Sequence, residues 1–199
     1  MVAHFRRHPN RLRTESLHEP LAHPLPPRMT TLTDSLALAW LAERGVDADA
    51  PAPLLLHADE AAEPGFAVRR LAHGAASLRR PSSVAPGLVL LLVPLEGTAA
   101  LSARGVAEQL SRGRFAALPG GAASTLRTRA QSSRLELLVR VPAPLRRPVV
   151  AFSTALPVVV ATANAVLETR LGPADPAFAG LRAALEQLAA AVLASASTP

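Results

Sequence analysis

The side chains able to do chemistry in this chain are few and poorly spaced for it. Among 199 residues there is no Cys and no Tyr, and the 21 basic residues are all Arg. Disulfides, thiolate metal sites and cysteine nucleophiles are therefore excluded, as is a phosphate-binding loop that ends in Lys. His4, His8, His18 and His23 lie before Met29, without metal-ligand spacing. His57 and His73 are then the sole bases open to Ser124 or Thr125, and no strand–nucleophile–helix elbow presents either hydroxyl. Asp59, Glu60 and Glu63 form a short acidic run. Such a run is a solvated loop unless partners converge on it as an acid/base or metal site. No histidine follows Gly74, so a first-row divalent metal finds no imidazole set in the rest of the chain. The expectation is a protein that is not an enzyme and holds no metal or cofactor.

With so little chemistry to position, the elements carry the reading. From Gly87 to Pro142, β-favouring runs alternate with turn signals about every eight to twelve residues, the mark of an antiparallel sandwich or barrel. The runs are Leu88–Leu95, Thr98–Ala103, Val106–Leu110, Phe115–Leu118, Thr125–Arg129 and Arg134–Val141. Turns fall at Glu96-Gly97, Arg104-Gly105, Ser111–Arg114, Pro119-Gly120-Gly121 and Ser132-Ser133. In the last run Leu135, Leu137, Val139 and Val141 share one face, and Glu136 and Arg140 the other. A small jelly-roll barrel accounts for this pattern.

Upstream, Thr31–Arg44 reads as a helix capped by Thr33 or Asp34, ended by Gly45 and packed through Leu36, Trp40 and Leu41. Leu54–His57 reads as a short edge strand, Ala58–Gly65 as an acidic loop, and Phe66–His73 with Ala75–Arg80 as a hairpin across Gly74. Downstream, the irregular connection Ala143–Leu156 holds a short strand at Val149–Phe152. A helix then runs from Pro157 to Leu171. Asp175-Pro176 opens a last helix, to Ala194, with an apolar stripe at Phe178, Leu181, Leu185, Leu188 and Val192. The organisation expected is mainly β with C-terminal helices. It comprises a disordered leader over 1–28, a helix and loop packing on the barrel over 29–65, the barrel over 66–142, and a connection and helical pair over 143–199.

The net charge of +6 divides evenly. Residues 1–28 carry five Arg against Glu15 and Glu19, and the remaining 171 residues carry 16 Arg against 13 acids. Charges so scattered do not form the clustered basic face that DNA binding requires, so no direct DNA binding is expected. No apolar run approaches the roughly 20 residues of a membrane span. The N-terminus lacks the apolar centre of a secretory signal, so Met29 is a plausible start and the cytoplasm the default location.

The segments Pro94-Leu95-Glu96-Gly97, Ser111-Arg112-Gly113-Arg114-Phe115 and Leu118-Pro119-Gly120-Gly121 resemble the effector-binding cupin at the N-terminus of AraC-type transcription regulators. The likeness runs from Phe66–Pro81 to Leu193, about two-thirds of the chain. It implies a cupin-like jelly-roll barrel followed by two α-helices, a small-molecule effector inside the barrel, and a homodimer through the C-terminal helices. Cupin enzymes place metal ligands in the region matching Val93–Leu101 and just after Pro119-Gly120. Here Glu96 stands alone and Ala122–Thr125 offers no histidine. The helix-turn-helix half of such regulators is absent before Pro199, so the resemblance implies a stand-alone sensor.

Pocket-facing candidates by alternation are Phe66, Val68, Phe115, Leu126, Thr128, Leu137 and Val139, with Arg70 or Arg140 to meet an anionic ligand. Phe178, Leu181, Leu185, Leu188 and Val192 are the candidate dimer interface. The stripe by itself reads equally well as docking on its own barrel, and the resemblance favours the dimer. The alternative function is a ligand-free structural or protein-interaction module derived from such a regulator.

Overall fold

The computed structural model describes residues 29–81, 85–169 and 171–196; the leader expected over 1–28 lies outside them. Twelve strands among the described residues form two antiparallel sheets. The larger contains β1 (Thr30–Thr33), β3 (Leu55–Glu63), β4 (Phe66–His73), β6 (Leu88–Glu96), β9 (Arg114–Pro119), β11 (Ser132–Arg140) and β12 (Val149–Phe152). Its order is β1-β3-β4-β11-β6-β9-β12. The smaller contains β2 (Asp47–Asp49), β5 (Ala76–Arg80), β7 (Ala99–Ala103), β8 (Val106–Leu110) and β10 (Ser124–Thr128), in the order β2-β5-β10-β7-β8. A short helix, α1 (Asp34–Glu43), joins β1 to β2, and α2 (Leu156–Thr169) and α3 (Pro176–Ala194) complete the chain.

Successive residues of a strand point to opposite faces, so this architecture has two cores. Leu71, Leu78, Leu90, Leu92, Leu101, Leu118 and Leu126 meet between the sheets, closed at one corner by Ala37 and Leu41 of α1. Phe66, Val68, Leu91, Phe115, Leu135, Leu137 and Val139 lie on the outer face of the seven-stranded sheet, where α2 and α3 cover them. Asp175 caps α3 by accepting a 2.8 Å hydrogen bond from the Ala177 N–H, and Pro176 follows it, as the sequence pattern requires.

Ser132-Ser133, expected as a turn, opens β11 instead, and three further elements differ from expectation, all before Gly65. The helix starts only at Asp34, because Thr30–Thr33 pairs with β3 as an edge strand. Its buried positions are Ala37 and Leu41, while Leu36 is 63% exposed. Asp47–Asp49 pairs with β5 and adds an edge to the smaller sheet. The acidic run is a strand: β3 continues to Glu63, with Asp59 opposite Arg70 and Glu60 opposite Arg69 across the ladder. Opposite charges facing each other across strands stabilise such a pair, so the acids are ordered by two arginines supplied by the next strand. The sheets therefore begin at Thr30, well upstream of Phe66.

The connection after β11 is irregular as expected, with Val149–Phe152 pairing on β9. Among the described residues one helix, Pro176–Ala194, is long and apolar enough by length and composition to cross a membrane. Its alanines account for this, and its largest apolar side chains dock on the sheet.

Candidate functional site

The inner face of the seven-stranded sheet is not wholly apolar. Register places Glu60 of β3, Arg69 of β4 and Glu136 of β11 side by side in one row, all toward the space between the sheets. Arg80 from the smaller sheet donates to Glu136 Oε2 at 2.8 Å, and Arg134 Nε donates to Glu136 Oε1 at 2.9 Å. Glu60 accepts from both Arg69 and Arg44. The Arg44 guanidinium also lies 3.6 Å from the Trp40 ring centroid and donates to the Trp40 carbonyl at 2.8 Å. Arg80 in turn donates to the Arg44 carbonyl at 3.2 Å, which ties the two halves together.

His73 closes the row at one end of the barrel. Its Nδ1 lies 2.8 Å from the Gly74 carbonyl and its Nε2 lies 2.6 Å from Arg134 Nη1. A carbonyl only accepts and a guanidinium only donates, so the ring carries its proton on Nδ1 and is neutral. Burial, reinforced by the Arg134 charge, pulls the imidazole down to about 4. Burial opposes ionisation of Glu136, yet Arg80, Arg134 and Arg69 outweigh it and hold that carboxyl down to about 2. Glu60 shows the same balance, with burial opposed and overcome by Arg44 and Arg69.

This row is built for cohesion rather than turnover. Each carboxylate is locked between guanidinium groups, so neither is poised to exchange a proton near neutrality. Among the described residues no three of His, Asp and Glu come together as a metal-ligand set. The enclosed space beside Leu92, Ala99, Leu110, Leu126 and Arg134 amounts to about 10 Å³, barely enough for one water. Larger openings lie elsewhere, including one of about 420 Å³ on β7, β8 and β10 beside Glu108 and Arg127. Another, of about 220 Å³, is bordered by Pro51, Pro53, Leu55, His57, His73 and Gln131. A third, of about 440 Å³, lies between the end of β11 at Arg140 and the α3 residues Glu186 and Gln187.

The residues singled out by alternation do not converge. Phe66, Val68, Phe115, Leu137 and Val139 point away from the barrel interior, into the core beneath α2 and α3. Alternation separates two faces but does not say which is inside, and here both faces are covered and apolar. Leu126 does face the interior, as does Thr128, whose hydroxyl lies 3.0 Å from the Gly74 carbonyl and accepts from the Ala76 N–H at 3.1 Å. Arg70 reaches the helical layer instead, donating to Asp59 at 2.9 Å and to Asn164 of α2 at 3.2 Å. Arg140 is exposed at the mouth of the 440 Å³ cleft. In α3, Phe178, Leu185 and Val192 are buried on the chain's own sheet, and Leu181 and Leu188 are half-buried beside them.

Strand alternation places Glu136 on the face opposite Leu135 but does not reveal the row to which it belongs. The available signal is charge: an acid on a strand whose other face is fully apolar, matched by Arg69-Arg70 on the adjacent β4 and Arg79-Arg80 on β5 of the facing sheet.

Compared with known proteins, the sequence matches no family model and no curated protein. Among solved structures, the AraC-like transcriptional activator CuxR matches at a TM-score of 0.61 and 14% identity, over 86% of this chain and 72% of that one. A cupin superfamily protein from Desulfitobacterium hafniense matches at 0.35 and 11% identity, over 48% of this chain and 77% of that one. KdgF from Halomonas sp. matches at 0.35 and 15% identity, over 46% and 80%. The chain thus has the cupin-like jelly-roll fold with appended helices that its resemblance to the effector-binding domain of AraC-type regulators implied.

Proposed function

We propose that the chain is a non-catalytic sensor and dimerisation domain of regulator type, in which a small molecule biases the helical layer and that layer pairs two copies. The observation that carries this reading is the double use of β4 and β11. Arg69 and His73 alternate with Phe66, Val68 and Arg70 on β4, and Arg134 and Glu136 alternate with Leu135 and Leu137 on β11. A displacement of either strand therefore changes the ion-pair row and the helix-bearing face together. A ligand that favours one arrangement shifts the helices through that sheet.

The pairing face follows from what α3 leaves open. Phe178, Leu185 and Val192 are covered by the sheet, whereas Ala177, Gly180, Ala184, Gln187, Ala191 and Ala194 are exposed. These six recur at alternating steps of three and four, an order that reads the same from either end. Two antiparallel copies related by a twofold axis would present matching rows of small side chains. The second reading, a ligand-free interaction module, is favoured by the leucine-packed interior, where the pocket beside Leu92 and Leu126 holds about 10 Å³.

The test is solution mass by light scattering on the full chain and on Ala184→Glu, followed by thermal melts against a small-molecule panel. A dimer that becomes monomeric in the variant supports the pairing face, and a melting rise with one compound class supports sensing. A chain monomeric in both forms overturns the pairing. A dimer indifferent to every compound leaves the interaction module standing.

A further inference from the structure

Resting on that sensor reading, we infer that the effector site lies outside the barrel, in the cleft between Arg140 and α3, and that it takes a small oxyanion with an apolar body. Volume comes first. The pocket beside Leu92 and Leu126 holds about 10 Å³, whereas the cleft offers about 440 Å³, within the range of small-molecule sites.

Charge comes second. Glu186 lines the cleft but is held by Arg182 at 3.1 Å, and Arg182 also holds Glu63 at 2.7 Å. Arg182 is shared between the two carboxylates, so Glu186 keeps part of its negative charge. Arg140, on the opposite wall, forms no hydrogen bond or ion pair among the described residues, and neither do the exposed Arg146 and Arg147 that follow Pro144. Arg140 is therefore the unpaired cation of the cleft lining, set across from the partly compensated Glu186. A guanidinium fork fits a carboxylate or a phosphate through two parallel N–H donors. Val141, Pro142 and Pro144 supply the apolar wall for the rest of the ligand.

Position comes third. Gln187 lines the cleft and also belongs to the exposed row on α3. A ligand bridging Arg140 and the Gln187 amide touches the pairing helix directly, with no need to pass through a filled interior.

The experiment is calorimetric titration of the full chain with benzoate, phenyl phosphate and inorganic phosphate, with benzyl alcohol as the uncharged counterpart. The first two are expected to bind, inorganic phosphate more weakly, and benzyl alcohol not at all. Arg140→Ala should weaken phenyl phosphate by about ten-fold or more, the loss of one charge-assisted pair. Gln187→Ala should weaken it by less, and hydrogen exchange around residues 184–191 should slow when phenyl phosphate binds. Unchanged affinity in Arg140→Ala, which alters an exposed side chain with no hydrogen bond or ion pair among the described residues, overturns the location while leaving the sensor reading intact. No binding of any oxyanion overturns the ligand class, and the broader panel above then decides separately whether the chain senses anything.

Discussion

The two faces of the seven-stranded sheet are both apolar, but the inner one also buries a row of ion pairs. On the outer face, Phe66 meets Phe178 edge-on with ring centroids 5.7 Å apart, and Leu135, Leu137 and Val139 complete an apolar layer under α2 and α3. On the inner face, the same strands turn Arg69, Arg134 and Glu136 into the barrel. Apolar burial is non-directional and tolerates small shifts. A buried ion pair is directional and is strongly destabilising when one partner is lost. The outer face should therefore respond to substitution in proportion to volume, and the inner face to charge balance.

The largest expected effect is on the inner face. Glu136→Gln nearly preserves volume but removes the charge that Arg80 and Arg134 both require, so stability should fall by about 4 kcal/mol. Chemical denaturation checks this. A loss under about 1 kcal/mol would mean that the row is well hydrated and that the contrast between faces is false.

On the outer face, Phe178→Ala should cost about 3 kcal/mol, through lost burial and a cavity over Phe66. Phe178→Leu, which restores most of the volume, should recover more than half of that. No neutral replacement restores Glu136 in the same way, because it is the one carboxylate that pairs with Arg80 and Arg134 among the described residues.

The third prediction separates the faces by pH. His73 is held at about 4, below its ordinary 6.5. Its folded form thus binds protons more weakly than the unfolded chain does. Stability from this group is fully present above about 6.5 and is lost as pH falls from there through 4. Between about pH 7 and pH 5 the loss should reach about 2 kcal/mol, since each tenfold difference in proton affinity between the folded and unfolded chain is worth about 1.4 kcal/mol. His73→Gln, which keeps an acceptor for Arg134, should flatten that slope. Below 4.5 the lowered carboxyl of Glu136 adds a second loss in the same direction. A slope unchanged in His73→Gln would place the acid sensitivity elsewhere.

These cases also show what can be read from the sequence. The strands from Leu88 to Val141 are legible because turn signals separate short β-favouring runs, and Asp175-Pro176 marks α3 unambiguously. Inside against outside is not legible. A strand covered on both faces, like β6 with seven consecutive buried residues from Leu88 to Pro94, has no polar face to orient it. Alternation thus assigns Phe66 and Leu137 to an interior that they do not face. The acidic strand β3 is hidden for a different reason. Asp59 and Glu60 read as loop residues until the arginines opposite them are known, and that pairing is tertiary. The site is the least legible part, because the cleft at Arg140 is made by two elements, β11 and α3, far apart in the chain.

The smallest effect tests whether charge or burial sets the inner face apart. Arg79 adjoins Arg80 on β5 but points outward, where it donates to Asp47 at 3.0 Å with both side chains more than half exposed. Water screens that pair, and ordering two long side chains offsets much of its attraction. Arg79→Ala should change stability by no more than about 0.5 kcal/mol, and added salt should erase even that. Arg80→Ala, one residue away, removes one of the two guanidinium groups that hold the buried Glu136 and should cost several-fold more. Equal effects at the two positions would show that the ion pairs act alike wherever they sit. A difference confined to Arg80 would show that desolvation, not the count of charges, distinguishes the two faces of this barrel.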